Sequence, residues 1–437
     1  MSEKLAEVFE QYDMDIISTR KGRGSTIITT GDGLKILESF RGSMVRLEQE
    51  YVLKQLFLES GMECLDHIIP NRDGQLFTCD RYRQPYVLKK HFDGVECDMR
   101  NPSDVIAVVD ALSEFHKKGK WVAVEFETRW SETRRQKEEQ RVEEIRKVLE
   151  DGEELERIAY LYEISRSALE KAISCEEKQK RDNADRTNGD LNIDELYVED
   201  MRGKFVRHNA QIRKIGRFVS KVKRRNAFEN LFLEVYGDFC KQGVACVEML
   251  EKGIEKGDGK TAAKDKYAVE DKTNMNKADE AGADAGKADK TTERFEEEVF
   301  KRHFGICHGS FNQHNVILGE NDIAIVHFER FSRGNQLNDL YQFSRKVMEK
   351  NNYDFELLKD IFNAYGNNIE LSEDDYAYLY ILFSYPEKFW KIANSYYNCS
   401  KAFLSPKYLE KLQTLILQEK EKKEMLDRLK GIVIEGE

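Results

Sequence analysis

The spacing of apolar positions changes along the chain, and the changes mark out its elements. Residues 1–11 have the period of a short amphipathic helix. The β-branched run 26–30 (Thr-Ile-Ile-Thr-Thr) reads as a strand, Gly31-Asp32-Gly33 as a tight turn, and 34–37 as a second strand. That turn chemistry predicts a hairpin. Over 44–60 the period becomes helical, with Leu47, Tyr51, Leu53, Leu56 and Phe57 on the apolar side. Gly61 stands where a helix C-terminal cap is needed. Two short strands follow, near 76–79 and 85–89. Residues 1–92 therefore read as a small antiparallel sheet with one helix, and 93–437 as a larger helical region, an α+β arrangement.

Asn101-Pro102 opens the first helix of that larger region, because proline suits the first turn. The helix is expected to run to about Lys118. Residues 131–180 are charged almost throughout and read as a long solvated helical pair. The polar stretch 181–195 reads as a loop. Residues 201–228 hold ten Lys and Arg and no acid, with Ile212, Ile215, Val219 and Val222 on one helical face. This predicts a packed helix whose basic side, over 202–225, is solvated or meets an acidic partner. Residues 253–290 are rich in Ala, Gly, Lys and acids. Their few large apolar side chains cannot offset the chain entropy, so they read as a disordered insertion within the helical region. Residues 335–432 read as helical. Their aromatic run of Tyr385, Phe389, Trp390, Tyr396 and Tyr397 has the spacing of helix packing.

Composition narrows the classes. The chain has 437 residues and a net charge of −11, which argues against a general nucleic-acid binder. Its eight cysteines form no C-x-x-C, so a zinc ribbon or redox dithiol is not expected. Acids crowd the first residues, and the longest apolar patch, near 378–385, is too short to span a bilayer. A cytoplasmic protein with free thiols is the expectation.

The segment that carries chemistry is 305–330, GICHGSFNQHNVILGENDIAIVHFER. It reads as a loop, 308–315, followed by strands 315–318 and 323–328 around a turn at 320–322. A kinase-type phosphotransferase places a catalytic Asp and, five residues on, a metal-holding Asn ahead of such a hairpin. A second metal-holding Asp follows the hairpin. His308, Gly309 and Asn315 keep that frame, as does Val326-His327-Phe328-Glu329. Ser310 stands at the catalytic Asp position and His327 at the metal Asp position. A hydroxyl is no general base near neutral pH, and losing that base typically costs about two to four orders of magnitude. Imidazole is a poor ligand for Mg²⁺, which prefers oxygen; Asn315 and Glu329 are the remaining oxygen donors. His308 is expected to brace the loop, and Asp339 to cap the next helix or brace the same loop. Cys307, His308, His314 and His327 also crowd the segment. A transition-metal site, or a Ser310 nucleophile activated by a histidine, is the minor alternative.

The first 92 residues match the same scheme. Gly22 and Gly24 suit a nucleotide-covering turn, Lys35 the strand lysine that reaches the phosphates, and Glu50 the helix glutamate that pairs with it.

The sequence resembles the CotS-type spore-coat proteins, which have a kinase-like fold related to aminoglycoside phosphotransferases and choline kinases. The matching stretches are 86–98 (YVLKKHFDGVECD), the basic helix from 208 to 228, 339–346 (DLYQFSRK), 385–401 and the loop above. The resemblance implies a bilobal kinase-like fold, ATP and Mg²⁺ as ancestral ligands, other coat proteins as partners, and assembly from the cytoplasm into the spore coat. With Ser310 and His327 altered, the expected role is a catalytically degraded kinase that scaffolds coat assembly. The alternative is an active ATP- and Mg²⁺-dependent phosphotransferase acting on a small-molecule hydroxyl or a coat protein.

Overall fold

The computed structural model describes residues 3–22, 24–150, 200–254, 294–320, 322–398 and 406–435. The expected loop 181–195, the helical pair beyond 150 and nearly all of the insertion 253–290 lie outside them. The chain divides into two units. One takes in Met1–Phe92 and Lys118–Val198; the other takes in Asp93–Lys117 and Glu199–Glu437. The first thus extends beyond the 1–92 expected from sequence.

The first unit opens with α1 (Glu3–Phe9), then β1 (Ile16–Lys21), β2 (Ser25–Thr30), β3 (Gly33–Ser39), α2 (Met44–Glu59), β4 (Thr78–Cys79) and β5 (Pro85–Lys90). The strands form one antiparallel sheet in the order β1-β2-β3-β5-β4. The hairpin and α2 stand where the pattern put them, and Gly61 has φ +79 just past α2. β1 carries no alternating apolar signal, because its face is only half covered.

Alternation of side chains gives the sheet two distinct faces. On one, Ile28, Leu37 and Leu88 pack under Val8, Phe9 and Tyr12 at the α1 end of the chain. On the other, Val87 packs with Leu47 of α2 and Ile68. The next helix, α3 (Pro102–Glu150), starts at the expected proline but runs well past Lys118. Beyond that point it is held in this unit by Lys118 donating to the Gly61 carbonyl, by Arg129 on Glu59 and by Lys137 on Glu48. Such partners at long sequence separation are invisible to a local reading of helix ends.

In the second unit, β6 (Val95–Glu96) precedes the start of α3, and two helices follow, α4 (Met201–Ser220) and α5 (Ala227–Lys252). Asn226 and Glu229 close a reciprocal capping box at the start of α5. Next come α6 (Phe295–Arg302), β7 (Phe304–Cys307), β8 (Val316–Leu318), β9 (Ile323–Ile325) and β10 (Ser332–Asn335). Six helices complete the chain: α7 (Leu337–Lys350), α8 (Phe355–Gly366), α9 (Glu373–Ser384), α10 (Glu387–Asn398), α11 (Lys407–Leu417) and α12 (Glu419–Glu435). β7 pairs with β10, and β6, β8 and β9 form a three-stranded antiparallel sheet. Among the described residues no helix is long and apolar enough to cross a membrane.

The basic helix is α4, amphipathic as expected but ending at Ser220, so that Val222 and the basic residues 223–225 lie beyond it. Ile212, Ile215 and Val219 are buried with Phe228, Phe232, Phe389 and Tyr396, while Arg207, Arg213, Lys214 and Arg217 are exposed. The aromatic run is core. Tyr385 stacks on Phe205 at 3.5 Å and bonds Asn209, and Trp390 stacks on His208 at 3.4 Å.

Burial, helped by the neighbouring Lys204 ammonium, pushes the His208 imidazole down to about 4 from 6.5. An unfolded chain therefore takes up a proton between these values that the folded chain refuses. The associated stability is complete above pH ~6.5 and lost as pH falls toward ~4. His208→Phe, which keeps an aromatic ring on Trp390, is expected to flatten the acid slope between pH 6.5 and 4.5 by about 1–2 kcal/mol. Chemical denaturation of both proteins at stepped pH measures it. Equal slopes would refute the assignment.

Candidate active site

The loop and its two strands are built around one buried carboxylate. β7 ends at Cys307, and His308 follows, fully buried. Gly309 has φ +74, and a Cβ there would overlap the Arg330 carbonyl oxygen, so only glycine fits. Asp339, in the first turn of α7 and 1% exposed, accepts from the His308 backbone N–H at 2.6 Å and the Gly309 N–H at 3.0 Å. It is a brace for the loop, one of the two roles read for it. Its Oδ2 also lies 3.4 Å from Nε2 of His116, whose Nδ1 meets the Tyr365 hydroxyl at 2.9 Å. Burial pushes the His116 imidazole below its usual range, so it stays neutral there.

His308 braces the loop too. Its Nε2 faces the Val326 carbonyl at 2.9 Å, which assigns the proton to Nε2. Nδ1 is then an acceptor, and it receives the Ser310 backbone N–H at 3.3 Å. The Ser310 hydroxyl lies 3.5 Å from the same nitrogen. The other side of His308 meets a backbone carbonyl and the rings of Phe328 and Phe311. That surrounding orients the ring through a backbone carbonyl on Nε2, where a nucleophilic triad places a carboxylate.

Ser310 and Asn315 are brought together as the frame predicts. The Asn315 side-chain amide donates to the Ser310 carbonyl at 3.0 Å and to its hydroxyl at 3.3 Å, and Asn312 donates to the same carbonyl. Residues Gln313–Asn315 form a single 3₁₀ turn, so β8 begins at Val316 and not at 315. β9 likewise stops at Ile325, short of the expected 328. The Val326 N–H still bonds the Asn315 carbonyl in the register of the β8–β9 pair, and the strand ends where His327 takes φ +67, outside the strand region. A non-glycine residue in this conformation is uncommon and is characteristic of sites where the backbone is over-determined. It aims His327 at Glu329, with Nδ1 3.5 Å from Oε1, both side chains substantially exposed.

This donor set does not fit Mg²⁺. Of Asn315, His327 and Glu329, one offers an amide whose N–H groups point at Ser310, one offers nitrogen, and one is an exposed carboxylate 3.5 Å from the His327 ring. Nor do the crowded Cys307, His308, His314 and His327 form a transition-metal site. Cys307 and His308 are buried, while His314 is turned out onto Glu96. Among the described residues, no group of three or more His, Cys, Asp or Glu side chains gathers to hold a metal ion.

In the first unit, Gly22 and Gly24 lie in the turn between β1 and β2. The Gly22 N–H bonds the Ser25 carbonyl at 2.9 Å, and Gly24 needs φ +80. The expected ion pair between Lys35 and Glu50 does not form. Lys35 shares a face with Leu37, two residues on, and that face packs on α1. Its ammonium bonds the Thr30 hydroxyl at 2.8 Å and the Asp32 carboxylate within its own hairpin, holding the Asp32 carboxyl down at about 2. Glu50 lies on the opposite side of the sheet. Its partners are Lys54, one helical turn on, and Lys89 of β5 at 3.0 Å. Asp66 completes the group, 2.7 Å from Lys54 and 3.6 Å from Lys89. All four are buried. Burial works against the Glu50 carboxylate, but the two ammonium groups outweigh it and keep its carboxyl below the ordinary range. Lys54, Asp66 and Lys89 were missed in the sequence. The doublet Lys89-Lys90, inside an otherwise apolar strand, was the available signal.

No family model matches the chain, and no curated protein matches it. Solved structures do. The aminoglycoside phosphotransferase of Alicyclobacillus acidocaldarius is 12% identical, with a TM-score of 0.64, over 97% of this chain and 94% of its own. Spectinomycin phosphotransferase, at 11% identity over 98% and 97% of the two chains, has a TM-score of 0.46, and the choline kinase of Cryptosporidium parvum, at 11% over 96% and 91%, has 0.39. The chain thus has the aminoglycoside phosphotransferase-like fold, with a β-rich unit and a helical unit in the order that this fold requires.

Proposed function

We propose that this chain is a kinase-fold protein that has lost phosphoryl transfer and acts by binding, as a scaffold in spore-coat assembly. The observation that supports it most directly is Ser310. The loop is braced as a working loop would be, by Asp339, His308 and Asn315. Yet the side chain at its centre is a hydroxyl, which cannot take a substrate proton near neutral pH. The oxygen donors a kinase gathers for Mg²⁺ are reduced to one amide and one solvated carboxylate. The setting in the spore coat rests on the resemblance to CotS-type proteins. The exposed basic side of α4 is suited to an acidic coat partner.

The test is transfer of labelled γ-phosphate from ATP with Mg²⁺ or Mn²⁺. Aminoglycoside, choline and the protein itself serve as acceptors, and Ser310→Ala is run beside the natural chain. No transfer above the Ser310→Ala background is expected. Transfer that Ser310→Ala abolishes would overturn the reading in favour of an active phosphotransferase. A fluorescent fusion expressed in a sporulating endospore-former is expected to collect at the coat, and uniform cytoplasmic signal would remove the coat assignment.

A further inference from the structure

We infer that the phosphate-binding lysine of this kinase fold is Lys89 on β5, and that Lys35 on β3 has no part in nucleotide binding. The inference rests on the kinase-fold reading above and names a residue within it. In a protein kinase the lysine on the third strand pairs with a glutamate on the following helix, and the pair presents the ammonium to the nucleotide phosphates. Here the helix glutamate, Glu50, has its cross-sheet partner on a different strand. Lys89 reaches it at 3.0 Å.

The register shows how a lysine on β5 reaches Glu50 from the position facing β3. Ile36 of β3 sits directly opposite Lys89 of β5. Residues directly opposite in an antiparallel pair lie on one face of the sheet, about 5 Å apart. A lysine side chain is long enough to make up that distance. Lys35, one residue from Ile36, is necessarily on the other face. It is tied to Thr30 and Asp32 of its own hairpin. Lys54 also touches Glu50, but its side chain is fully buried and donates to the Asp66 carbonyl as well. It holds the group together from within. Of the two lysines on Glu50, Lys89 is the less deeply buried, its side chain 6% exposed against 0% for Lys54. Glu50 at 3.0 Å and Asp66 at 3.6 Å keep the Lys89 ammonium in a defined position without a ligand.

The experiment is titration of ADP and of a non-hydrolysable ATP analogue, by calorimetry, into the natural protein, Lys89→Met, Lys35→Met, and the double variant Ile36→Lys/Lys89→Met. Lys89→Met is expected to weaken binding roughly tenfold or more, the size of one charge-assisted hydrogen bond. Lys35→Met is expected to bind within about twofold of the natural chain. The double variant, with its lysine moved to the facing position, is expected to recover most of the loss. It also serves if Lys89→Met alone fails to fold, since thermal melting without ligand reports folding separately. Unchanged binding by Lys89→Met, or loss of binding by Lys35→Met alone, would overturn the assignment while leaving nucleotide binding standing. If the natural chain binds neither nucleotide, both the lysine's role and nucleotide recognition by this fold fall together.

Discussion

Asp339→Ala is expected to destabilise the helical unit by about 3–6 kcal/mol, the sum of two charge-assisted hydrogen bonds of about 1.5–3 kcal/mol each. The carboxylate is 1% exposed and accepts both the His308 and Gly309 N–H groups. Alanine leaves the buried His308 N–H and the partly buried Gly309 N–H without their acceptor, and it strips His116 of the partner on its Nε2. Asp339→Asn retains one acceptor oxygen and is expected to lose less. Denaturant unfolding gives the total, and hydrogen exchange at the His308 and Gly309 amides localises it. A loss below about 1 kcal/mol, or unchanged protection at those two amides, would show that the loop is held by something else.

The second large effect belongs to Glu50. Removing one member of a buried ion group typically costs about 3–5 kcal/mol, because the charges left behind have lost both water and partner. Glu50→Ala leaves Lys54 and Lys89 with Asp66 alone, a net positive charge in the interior of the β-rich unit. The folded pKa of Glu50 lies below its ordinary value, so its contribution is present above pH ~4.5 and is lost as pH falls below that. The double variant Glu50→Met/Lys89→Met replaces charge with apolar bulk and is expected to be less damaged than Glu50→Ala, since a charge is removed from each side. Equilibrium unfolding of the three proteins decides it. If the double variant is worse than Glu50→Ala, the cost lies in packing and not in stranded charge.

Much of the local structure was legible because its determinants are local. The turn Gly31-Asp32-Gly33 between β-branched runs, the helical period over 44–60 and Pro102 at a helix start each act over a few residues. The loop was legible for a different reason. His308, Gly309, Ser310 and Asn315 lie within eight residues, so their spacing survives in the sequence, and the structure does bring Ser310 against both His308 and Asn315. Misjudged ends trace to partners that lie far away in sequence. α3 continues beyond Lys118 because Glu48, Glu59 and Gly61 hold it there. β9 stops early because His327 turns into the left-handed region.

By itself the sequence determined the kinase-like order of elements, the loop frame, and the presence of Ser310 and His327 within it, since residue type and spacing are written along the chain. Only the tertiary structure decided which lysine meets Glu50. Lys35 and Ile36 differ by one position in the chain, and in a strand one position is the difference between the two faces of the sheet. A lysine at 35 looks as suitable as one at 36 when read along the chain. Across the sheet, the residue facing 36 is Lys89, more than fifty positions away, and pairing at that separation is set by strand register, which no local pattern records.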